Sequence, residues 1–262
     1  MATNNFPKWN PEQYLKFKDE RSLAAHDLAA SINISRPANI VDLGCGPGNS
    51  TFVLREKYPT AEITGVDSSE EMIESARRAD PDERWIVSDI RDWKPSIKFD
   101  IVFSNAVLQW LPDHEKLINN LFGMVNFKGV LAVQVPANFD SPLYKALIRV
   151  SESPEWKERM AGCREVLNYK TPEYYYDLLS SVSGKFSVWQ TIYYHVLENH
   201  NGLIEWYSST GMKHYLERIS DDREEAKFKS QVLEGCRESY SFQKNNKILL
   251  PFKRTFFTAY KE

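Results

Sequence analysis

The sequence predicts an α/β fold with a doubly wound, mostly parallel sheet and a helical cap inserted late in the chain. Short apolar strands alternate with helical patterns over roughly 100 residues, which is typical of parallel sheets. After Pro136 this alternation stops, and helical segments rich in aromatic residues interrupt the last two strands. The 262 residues are enough for one core domain with a cap.

A first helix is predicted near the N-terminus. Asn10 can cap it, Pro11 suits its first position, and Gln13 completes a capping-box pattern. Tyr14 and Arg21 share one face of this helix with apolar residues, so Arg21 places a positive charge on an otherwise apolar face.

Strands and helices alternate after this helix. The predicted strands are NIVDLG, EITGVD, ERWIVSD, FDIVFSN and GVLAVQVP, and the predicted helices are NSTFVLREKYP, SEEMIESARRA and HEKLINNLFGMV. Several of these strands end in a polar residue. In parallel sheets the carboxyl ends of the strands meet at one edge, where ligands bind.

The remaining segments are mostly helical. We predict helices over SPLYKALIRVSESPEWKERMAG, TPEYYYDLLSSV, NGLIEWYSSTGMKHYLERI and DREEAKFKSQVLEGCRESY, and strands over KFSVWQTIYYHVL and ILLPFKRTFFTAY. The chain is therefore divided into an N-terminal helical segment (1–35) that covers the site, a core (36–140), and an aromatic-rich cap (141–262) interleaved with the last two strands.

The composition argues against several classes of protein. A net charge of −3 offers no basic surface for nucleic acid, and no apolar run reaches the roughly 20 residues of a membrane span. The N-terminus does not resemble a secretory signal. Three widely separated cysteines give no metal spacing and indicate a reducing compartment. We expect a cytoplasmic protein without a metal, a membrane contact or an obligate protein partner.

The segment VDLGCGPGNST indicates a ligand that lies against a glycine turn. Gly44, Gly46 and Gly48 allow a tight turn after the first strand of the core. Asp67 follows at about 20 residues, at the end of the next strand, where a carboxylate can accept both hydroxyls of a ribose. A dinucleotide and S-adenosylmethionine (SAM) both contain ribose. The structural alternative is a plain strand-to-helix turn with Asp67 as a helix cap.

Three details favour SAM over a nicotinamide dinucleotide. The glycine spacing is G-x-G-x-G, so Asn49 stands where a dinucleotide site needs its third glycine. Asp42 lies just before the turn, where it would repel a pyrophosphate but attract the ammonium and sulfonium groups of SAM. Asp89, at the end of the third strand, can accept a hydrogen bond from an adenine amino group.

These residues lie in motifs that resemble the successive motifs of class I SAM-dependent methyltransferases, which have a Rossmann-like sheet: VDLGCGPGNST, GVDSSEEMI, SDIRDW and FDIVFSNAVLQWLPD. Within that class, the chain is similar to trans-aconitate 2-methyltransferases in WNPEQYLKFKDERSLAA, NAVLQWLPDHEKL, GVLAVQVPANF, VWQTIYYHVL and IEWYSSTG. The resemblance covers nearly the whole chain and is strongest before residue 140. It implies a methyl ester synthase that acts on a small polycarboxylic acid and releases S-adenosylhomocysteine (SAH).

The resemblance and the strand ends together predict the cofactor site. Its residues are Asp42, Gly44, Cys45, Gly46, Asn49, Asp67, Ser68, Met72, Asp89, Ile90, Asn105 and Ala106.

The substrate site needs positioning residues and no general base, because a carboxylate is already ionised at neutral pH. We expect cations, hydrogen-bond donors and aromatic walls. The candidates are Trp9, Tyr14, Arg21, Gln109, Trp110, Tyr194, His195 and Arg254. Each also has a structural interpretation: Arg254, on an apolar strand face, can pair with an acidic residue of the cap.

Two other functions stay open at this point. The chain can methylate another small molecule on oxygen or nitrogen, with His195 or His114 as base, or it can bind SAM without turnover. The sequence also departs from the family pattern. Lys213 and His214 stand where an arginine–proline pair is usual, and Ala137 stands where an acidic residue is usual. These positions put the identity of the acid in question.

Overall fold

The computed structural model describes the backbone of residues 18–262 and the side chains from Ser22 onward. Of the predicted substrate residues, Trp9 and Tyr14 lie outside the described residues. Arg21 lies in the first described helix, but its side chain is also outside them.

Seven strands form one mostly parallel sheet, as predicted. They are β1 (Asn39–Leu43), β2 (Glu62–Asp67), β3 (Arg84–Val87), β4 (Phe99–Asn105), β5 (Val125–Pro136), β6 (Lys185–Leu197) and β7 (Ile248–Tyr260). Their order in the sheet is β3-β2-β1-β4-β5-β7-β6. The pairs among β1 to β5 are parallel, whereas β7 runs antiparallel to β5.

Nine α-helices lie between and after the strands in the described part of the chain. They are α1 (Lys18–Ser31), α2 (Asn49–Lys57), α3 (Glu70–Ala79), α4 (His114–Gly123), α5 (Pro142–Ser151), α6 (Pro172–Ser180), α7 (Asn201–Ser208), α8 (Lys213–Leu216) and α9 (Asp222–Glu234). Three short 3-10 helices span Leu108–Trp110, Arg164–Val166 and Arg237–Ser239.

At least three helices of the later part are shorter than the sequence predicts. The last of them, α9, is predicted to reach Tyr240 but ends at Glu234, before a separate 3-10 helix. The helix predicted to begin at Ser141 ends at Ser151, because Pro154 has no N–H to continue it. The segment predicted as one helix is split into α7 and α8. Gly211 lies at the break, against the ring of Tyr207: a Cβ at Gly211 would lie 2.4 Å from Cε2 of that ring.

The order of the strands determines where a ligand can bind. β1 lies between β2 and β4, so the connections from β1 and from β4 leave in opposite directions, which opens a crevice at the carboxyl ends of these strands. The strands at this point are almost completely buried, which explains their continuous apolar sequences. The glycine turn follows β1, and Asn105 ends β4.

The described residues divide into two compact units. The sheet unit contains 18–136, 170–191 and 254–262, and the helical unit contains 137–169 and 192–253. In the helical unit, the ring of Trp156 packs edge-on against Phe228 at 5.1 Å, and its Nε1 donates to Gln231. Among residues 18–262, no helix has both the length and the apolar character needed to cross a membrane.

Candidate functional site

The glycine turn after β1 is held by backbone hydrogen bonds to the neighbouring strand. The amides of Gly44 and Cys45 donate to the carbonyl oxygen of Val66, at 2.7 and 3.1 Å. A Cβ at Gly44 would lie 2.2 Å from Cγ2 of Val107, and Gly44 has φ +71°. Only glycine fits this position.

Gly46 lies at the open part of the turn. Its φ is +55°, and a Cβ built on it meets no atom of the described residues within 4 Å. Among those residues no side chain covers this backbone, which leaves it accessible to a ligand. The turn therefore forms a backbone cradle of the kind that the sequence predicts.

The side chain of Cys45 lies behind the turn and not in the cradle. It packs in a buried cluster with Ile73, Ala76 and Trp85. Only the backbone of Cys45 can contribute to a ligand site. Trp85 closes this cluster from β3 and is not among the residues that the sequence predicts for the site.

Asp42 is a completely buried carboxylate at the carboxyl end of β1. Its Oδ2 accepts hydrogen bonds from the hydroxyls of Ser50 and Thr51, both at 2.7 Å. Its Oδ1 has no partner among the residues that the structure describes. Burial raises the pKa of Asp42 from 3.8 to about 6, against the opposing effect of the two hydroxyls. Oδ1 of the carboxylate is therefore an unused acceptor. A cationic ligand that binds it must first lose part of its own hydration shell, because the carboxylate is buried.

Asp67 connects the glycine turn to the start of α3. Its Oδ2 accepts from the amide of Gly46 at 2.9 Å, and its Oδ1 accepts from the amide of Ser69 at 2.8 Å. Burial raises its pKa, and these backbone bonds oppose that shift. The cap of α3 is Ser69, whose hydroxyl accepts from Met72. Asp67 is therefore not the helix cap that the structural alternative proposed. The amide of Ser68 also contributes to holding its carboxylate, which has about four lone pairs in total and so keeps acceptor capacity for a ribose hydroxyl.

Asp89 follows β3 and is bonded to Arg91. The guanidinium Nε of Arg91 lies 3.0 Å from Oδ1 and 3.1 Å from Oδ2 of Asp89. The hydrogen bond from Arg91 lowers the pKa of Asp89, so this carboxylate is ionised at neutral pH. Its oxygens can accept a further donor only beside that guanidinium.

The other predicted cofactor residues differ in exposure. Ser68 is exposed, Asn49 is half-buried, and Met72 and Ile90 are buried. Nδ2 of Asn49 is a buried donor without an acceptor among the described side chains and backbone.

A second turn follows β4 at the same edge of the sheet. Ala106 has φ +61°, and its amide donates to the carbonyl of Gln134 at 2.9 Å. Gln109 turns its Nε2 to the carbonyl of Ala106, at 2.7 Å. Its Oε1 and the Oδ1 of Asn105 are buried acceptors with no donor in the described residues. Trp110, the next residue, is half-buried.

A row of polar side chains continues from this turn across the sheet. Asn105 pairs with Gln134 on β5, and Pro136 of β5 pairs with Arg254 on β7. Nη1 of the buried Arg254 donates to Oε1 of Gln134 at 3.2 Å. Nε2 of Gln134 is a buried donor that finds no acceptor in residues 18–262. By strand alternation, these side chains share one face of the sheet.

The predicted apolar face around Arg254 is confirmed. Ile248, Leu250, Phe252, Arg254 and Phe256 are all buried. The sequence predicts an acidic partner or a substrate carboxylate for Arg254. Its hydrogen bond to a neutral amide on the adjacent strand was not foreseen. A polar residue within the apolar strand GVLAVQVP was the available signal for Gln134.

Tyr194 and His195 point to opposite faces of β6. Tyr194 is 62% exposed, whereas His195 is 4% exposed. The ring centroid of His195 lies 4.2 Å from that of Trp206 within the helical unit. Neighbouring residues of a strand alternate between faces, so one site does not receive both side chains from the same face.

His114 is unsuited to act as a general base. It is completely buried, with Nε2 near the carbonyls of Leu108 and Leu111 and Nδ1 bonded to the hydroxyl of Tyr175. Burial also lowers its pKa. Both ring nitrogens are occupied inside the protein, so neither can take a proton from a substrate.

The donors and acceptors at this edge fit SAM better than a dinucleotide. The buried Oδ1 of Asp42 can accept from a cation, and the cradle at Gly46 admits a ligand to bare backbone. Asp67, on the neighbouring strand, can accept ribose hydroxyls. A pyrophosphate at the turn would instead meet the charge of Asp42.

Comparison with known proteins agrees with this chemistry. Residues 34–201 match the family model described as a methyltransferase domain. The chain is 42% identical to a trans-aconitate 2-methyltransferase of Azoarcus sp. (strain BH72), over 97% of this chain and 99% of that protein. It is 39% identical to a trans-aconitate 2-methyltransferase of Escherichia coli O157:H7 (strain EC4115), over 96% and 97% of the two chains.

The fold recurs in a solved methyltransferase. A phosphoethanolamine N-methyltransferase 2 of Haemonchus contortus, in complex with phosphomonomethylethanolamine and SAH, superposes with a TM-score of 0.56. It is 16% identical, and the match covers 92% of this chain and 52% of that one. From the family match, the full-length relatives and the shared fold, the chain belongs to the trans-aconitate 2-methyltransferase family of SAM-dependent methyltransferases.

Proposed function

We propose that the protein transfers the methyl group of SAM to a carboxylate of trans-aconitate and forms a methyl ester. The observation that carries this proposal is the 42% identity, over nearly all of both chains, to a relative that bears the name of this activity. The match extends through the later half of the chain, where we expect the residues that determine substrate specificity.

The chemistry requires little from the protein beyond positioning. When bound, SAM supplies a methyl group on a positively charged sulfur. The acid's carboxylate is ionised at neutral pH, so its oxygen can take the methyl group while the carbon–sulfur bond breaks and a neutral thioether leaves. The chain then has to hold oxygen, carbon and sulfur in line and keep water out. A buried, fully bonded His114 is compatible with a reaction that needs no base.

For the cofactor, we propose three contacts by chemistry. Oδ1 of Asp42 would accept from the cationic end, the backbone from Gly44 to Gly46 would cradle the molecule, and Asp67 would accept the ribose hydroxyls. Asp89 and Ile90 would hold the adenine, and Asn105 with Ala106 would border the methyl group. Cys45 contributes only its backbone. Ser68, Met72 and Asn49 are the remaining residues of the proposed cofactor site.

For the acid, we propose a site along the row of Asn105, Gln134 and Arg254. The guanidinium of Arg254 supplies charge, and the unused Nε2 of Gln134 supplies a donor, both of which suit a carboxylate. Gln109 and Trp110 border this row from the turn after β4. Roles for His195, for Tyr194 and for the N-terminal Trp9, Tyr14 and Arg21 remain predictions from the sequence.

We also propose that residues 36–140 form the SAM-binding core and that 141–262 form a helical, aromatic-rich cap interleaved with the last two strands. We propose that the protein works in the cytoplasm with a small acid as its substrate and no obligate partner. Support for a reducing compartment comes from Cys45, Cys163 and Cys236, which are buried free thiols.

The test is methyl transfer to a panel of acids. The protein is incubated with methyl-labelled SAM and trans-aconitate, cis-aconitate, citrate or isocitrate, and the product is tested for a base-labile ester. We expect label on trans-aconitate well above the other acids. No label on any acid, together with clear binding of SAH, would refute carboxylate methylation.

A matched pair of variants tests whether the amide of Gln134 binds the acid. Gln134→Glu keeps the shape of the side chain but replaces the proposed donor by a carboxylate. It should raise KM for the acid roughly tenfold or more, since charge-assisted hydrogen bonds contribute about 1.5–3 kcal/mol. Gln134→Met removes the amide without adding charge and should have a smaller effect. Equal KM values in both variants and the wild type would show that Gln134 does not bind the acid.

A further inference from the structure

The buried imidazole of His114 bridges both ends of the short 3-10 helix Leu108–Trp110. Its Nε2 lies 2.8 Å from the carbonyl oxygen of Leu108 and 3.0 Å from that of Leu111. A carbonyl oxygen only accepts hydrogen bonds, so Nε2 carries the proton and donates to both. The imidazole therefore binds the turn after β4 at its first residue and at the residue just beyond it.

Tyr175 fixes the other side of the ring. Its hydroxyl lies 3.0 Å from Nδ1 of His114, and because the ring is protonated at Nε2, Nδ1 accepts this hydrogen bond. The two rings stack with centroids 5.9 Å apart and an interplanar angle of 21°. Tyr175 is itself completely buried and packs 4.9 Å from Phe257 of β7. The imidazole is thus held in one tautomer and one orientation by the sheet unit.

Two backbone hydrogen bonds also hold the bridged turn. Trp110 donates to the carbonyl of Val107 and Leu111 donates to that of Leu108, both at 2.9 Å. Such i to i+3 bonds have poorer geometry than those of an α-helix, and short 3-10 turns depend on their surroundings. Gln109 and Trp110 lie between the two carbonyls that His114 holds.

We propose that His114 and Tyr175 are a positioning pair that fixes Gln109 and Trp110 where the acid is methylated. This inference rests on the proposed function, because it assumes that the turn after β4 borders the substrate. His114 acts through the turn and does not touch the reacting atoms. The alternative is a pair that only fills the core, which would contribute to stability and leave the chemistry alone.

Three conservative substitutions separate these roles. The amide nitrogen of glutamine reaches the position of Nε2, so His114→Gln keeps the donor to the carbonyls and loses the bond to Tyr175. The amide of asparagine reaches only the position of Nδ1, so His114→Asn keeps a partner for Tyr175 and loses the bridge. Tyr175→Phe removes one hydroxyl and leaves the bridge in place.

For each variant we would measure three quantities: kcat/KM for trans-aconitate, the affinity for SAH, and hydrogen exchange of the backbone amides of Trp110 and Leu111. We expect His114→Asn to lose about 10- to 100-fold in kcat/KM, the size of effect that a displaced positioning group produces. Its turn amides should exchange at least about tenfold faster, while SAH affinity stays within about twofold. His114→Gln should stay near the wild type in all three quantities, with Tyr175→Phe between the two.

Two results would overturn the inference. One is that His114→Asn exchanges its turn amides faster but retains its kcat/KM. The other is that the asparagine and glutamine variants lose activity equally and in proportion to a fall in Tm, which indicates core filling. The exchange measurement needs no substrate. A wild type that fails to methylate any acid would therefore refute the proposed function, and the exchange rates would still report whether His114 holds the turn.

Discussion

Asp42 offers a direct test of the cofactor site, because its burial makes cofactor binding depend on pH. The pKa of this carboxyl is raised from 3.8 to about 6 by burial, so in the free protein it is partly protonated in mildly acidic solution. A cationic ligand at Oδ1 favours the ionised form. Binding of SAM should therefore release a proton from Asp42 at low pH, and its affinity should rise as the pH increases through about 6.

The size of the effect follows from the pKa. If Asp42 stays ionised in the complex, Kd is about tenfold weaker at about pH 5 than at about pH 7, and it is constant above that. Isothermal titration with SAM, without any acid acceptor, measures this slope. Asp42→Asn cannot ionise, so it should bind SAM weakly and with little dependence on pH. Asp89→Asn is the matched control: the pKa of Asp89 is already lowered by Arg91, so its loss should leave the slope intact.

The raised pKa of Asp42 predicts that the stability of the fold falls as the pH rises, whereas the affinity for SAM increases. A carboxyl with a raised pKa in the folded state stabilises the fold while protonated, below about 3.8, and this contribution is lost as the pH rises through about 6. The change from 3.8 to about 6 corresponds to about 3 kcal/mol as an upper value. At neutral pH, Asp42→Asn should thus be more stable than the wild type in urea unfolding while binding SAM less well. A wild-type Kd that does not change between about pH 5 and pH 7, or an Asp42→Asn variant with the wild-type slope, would refute the placement of the cation at Asp42.

Three further substitutions test other parts of the site. Gly44→Ala places a Cβ 2.2 Å from Val107 at a positive φ, so it should lower Tm and abolish SAH binding by calorimetry; near-normal values of both would contradict the packing of the turn. Asp67→Ala removes the acceptor of the Gly46 and Ser69 amides, and SAH affinity should fall at least about tenfold. Unchanged affinity would show that Asp67 does not bind the ribose. Arg254→Lys keeps the charge but not the planar fork, so KM for the acid should rise about tenfold at an unchanged Kd for SAH; a loss of stability alone would assign Arg254 to the fold.

The sheet and the cofactor edge could be predicted because they depend on local patterns. Apolar strands, glycines that need a positive φ, and polar residues at strand ends are visible within short segments. The predicted bounds of β4, β6 and β7 agree with the structure for this reason. The same reasoning could have separated Tyr194 from His195, since adjacent strand residues face opposite sides.

The remainder depends on contacts between distant parts of the chain. Nothing near Gly44 indicates that Val107 packs against it, and nothing near His114 indicates Tyr175. Gln134 meets Arg254 only because β7 pairs with β5 in one particular register.

The packing of Trp85 restricts which sequences can form this cofactor site. A Cβ at Gly65 would lie 2.4 Å from Cε3 and Cζ3 of the indole, and one at Gly48 would lie 2.9 Å from its Cη2. Neither glycine can gain a side chain while the indole is present, but a smaller residue at 85 would make room at 65. Gly65→Ala and Trp85→Leu should therefore each be costly alone and less than additive together. In this chain, a side chain at position 65 on β2 is then expected to require a smaller residue at position 85 on β3.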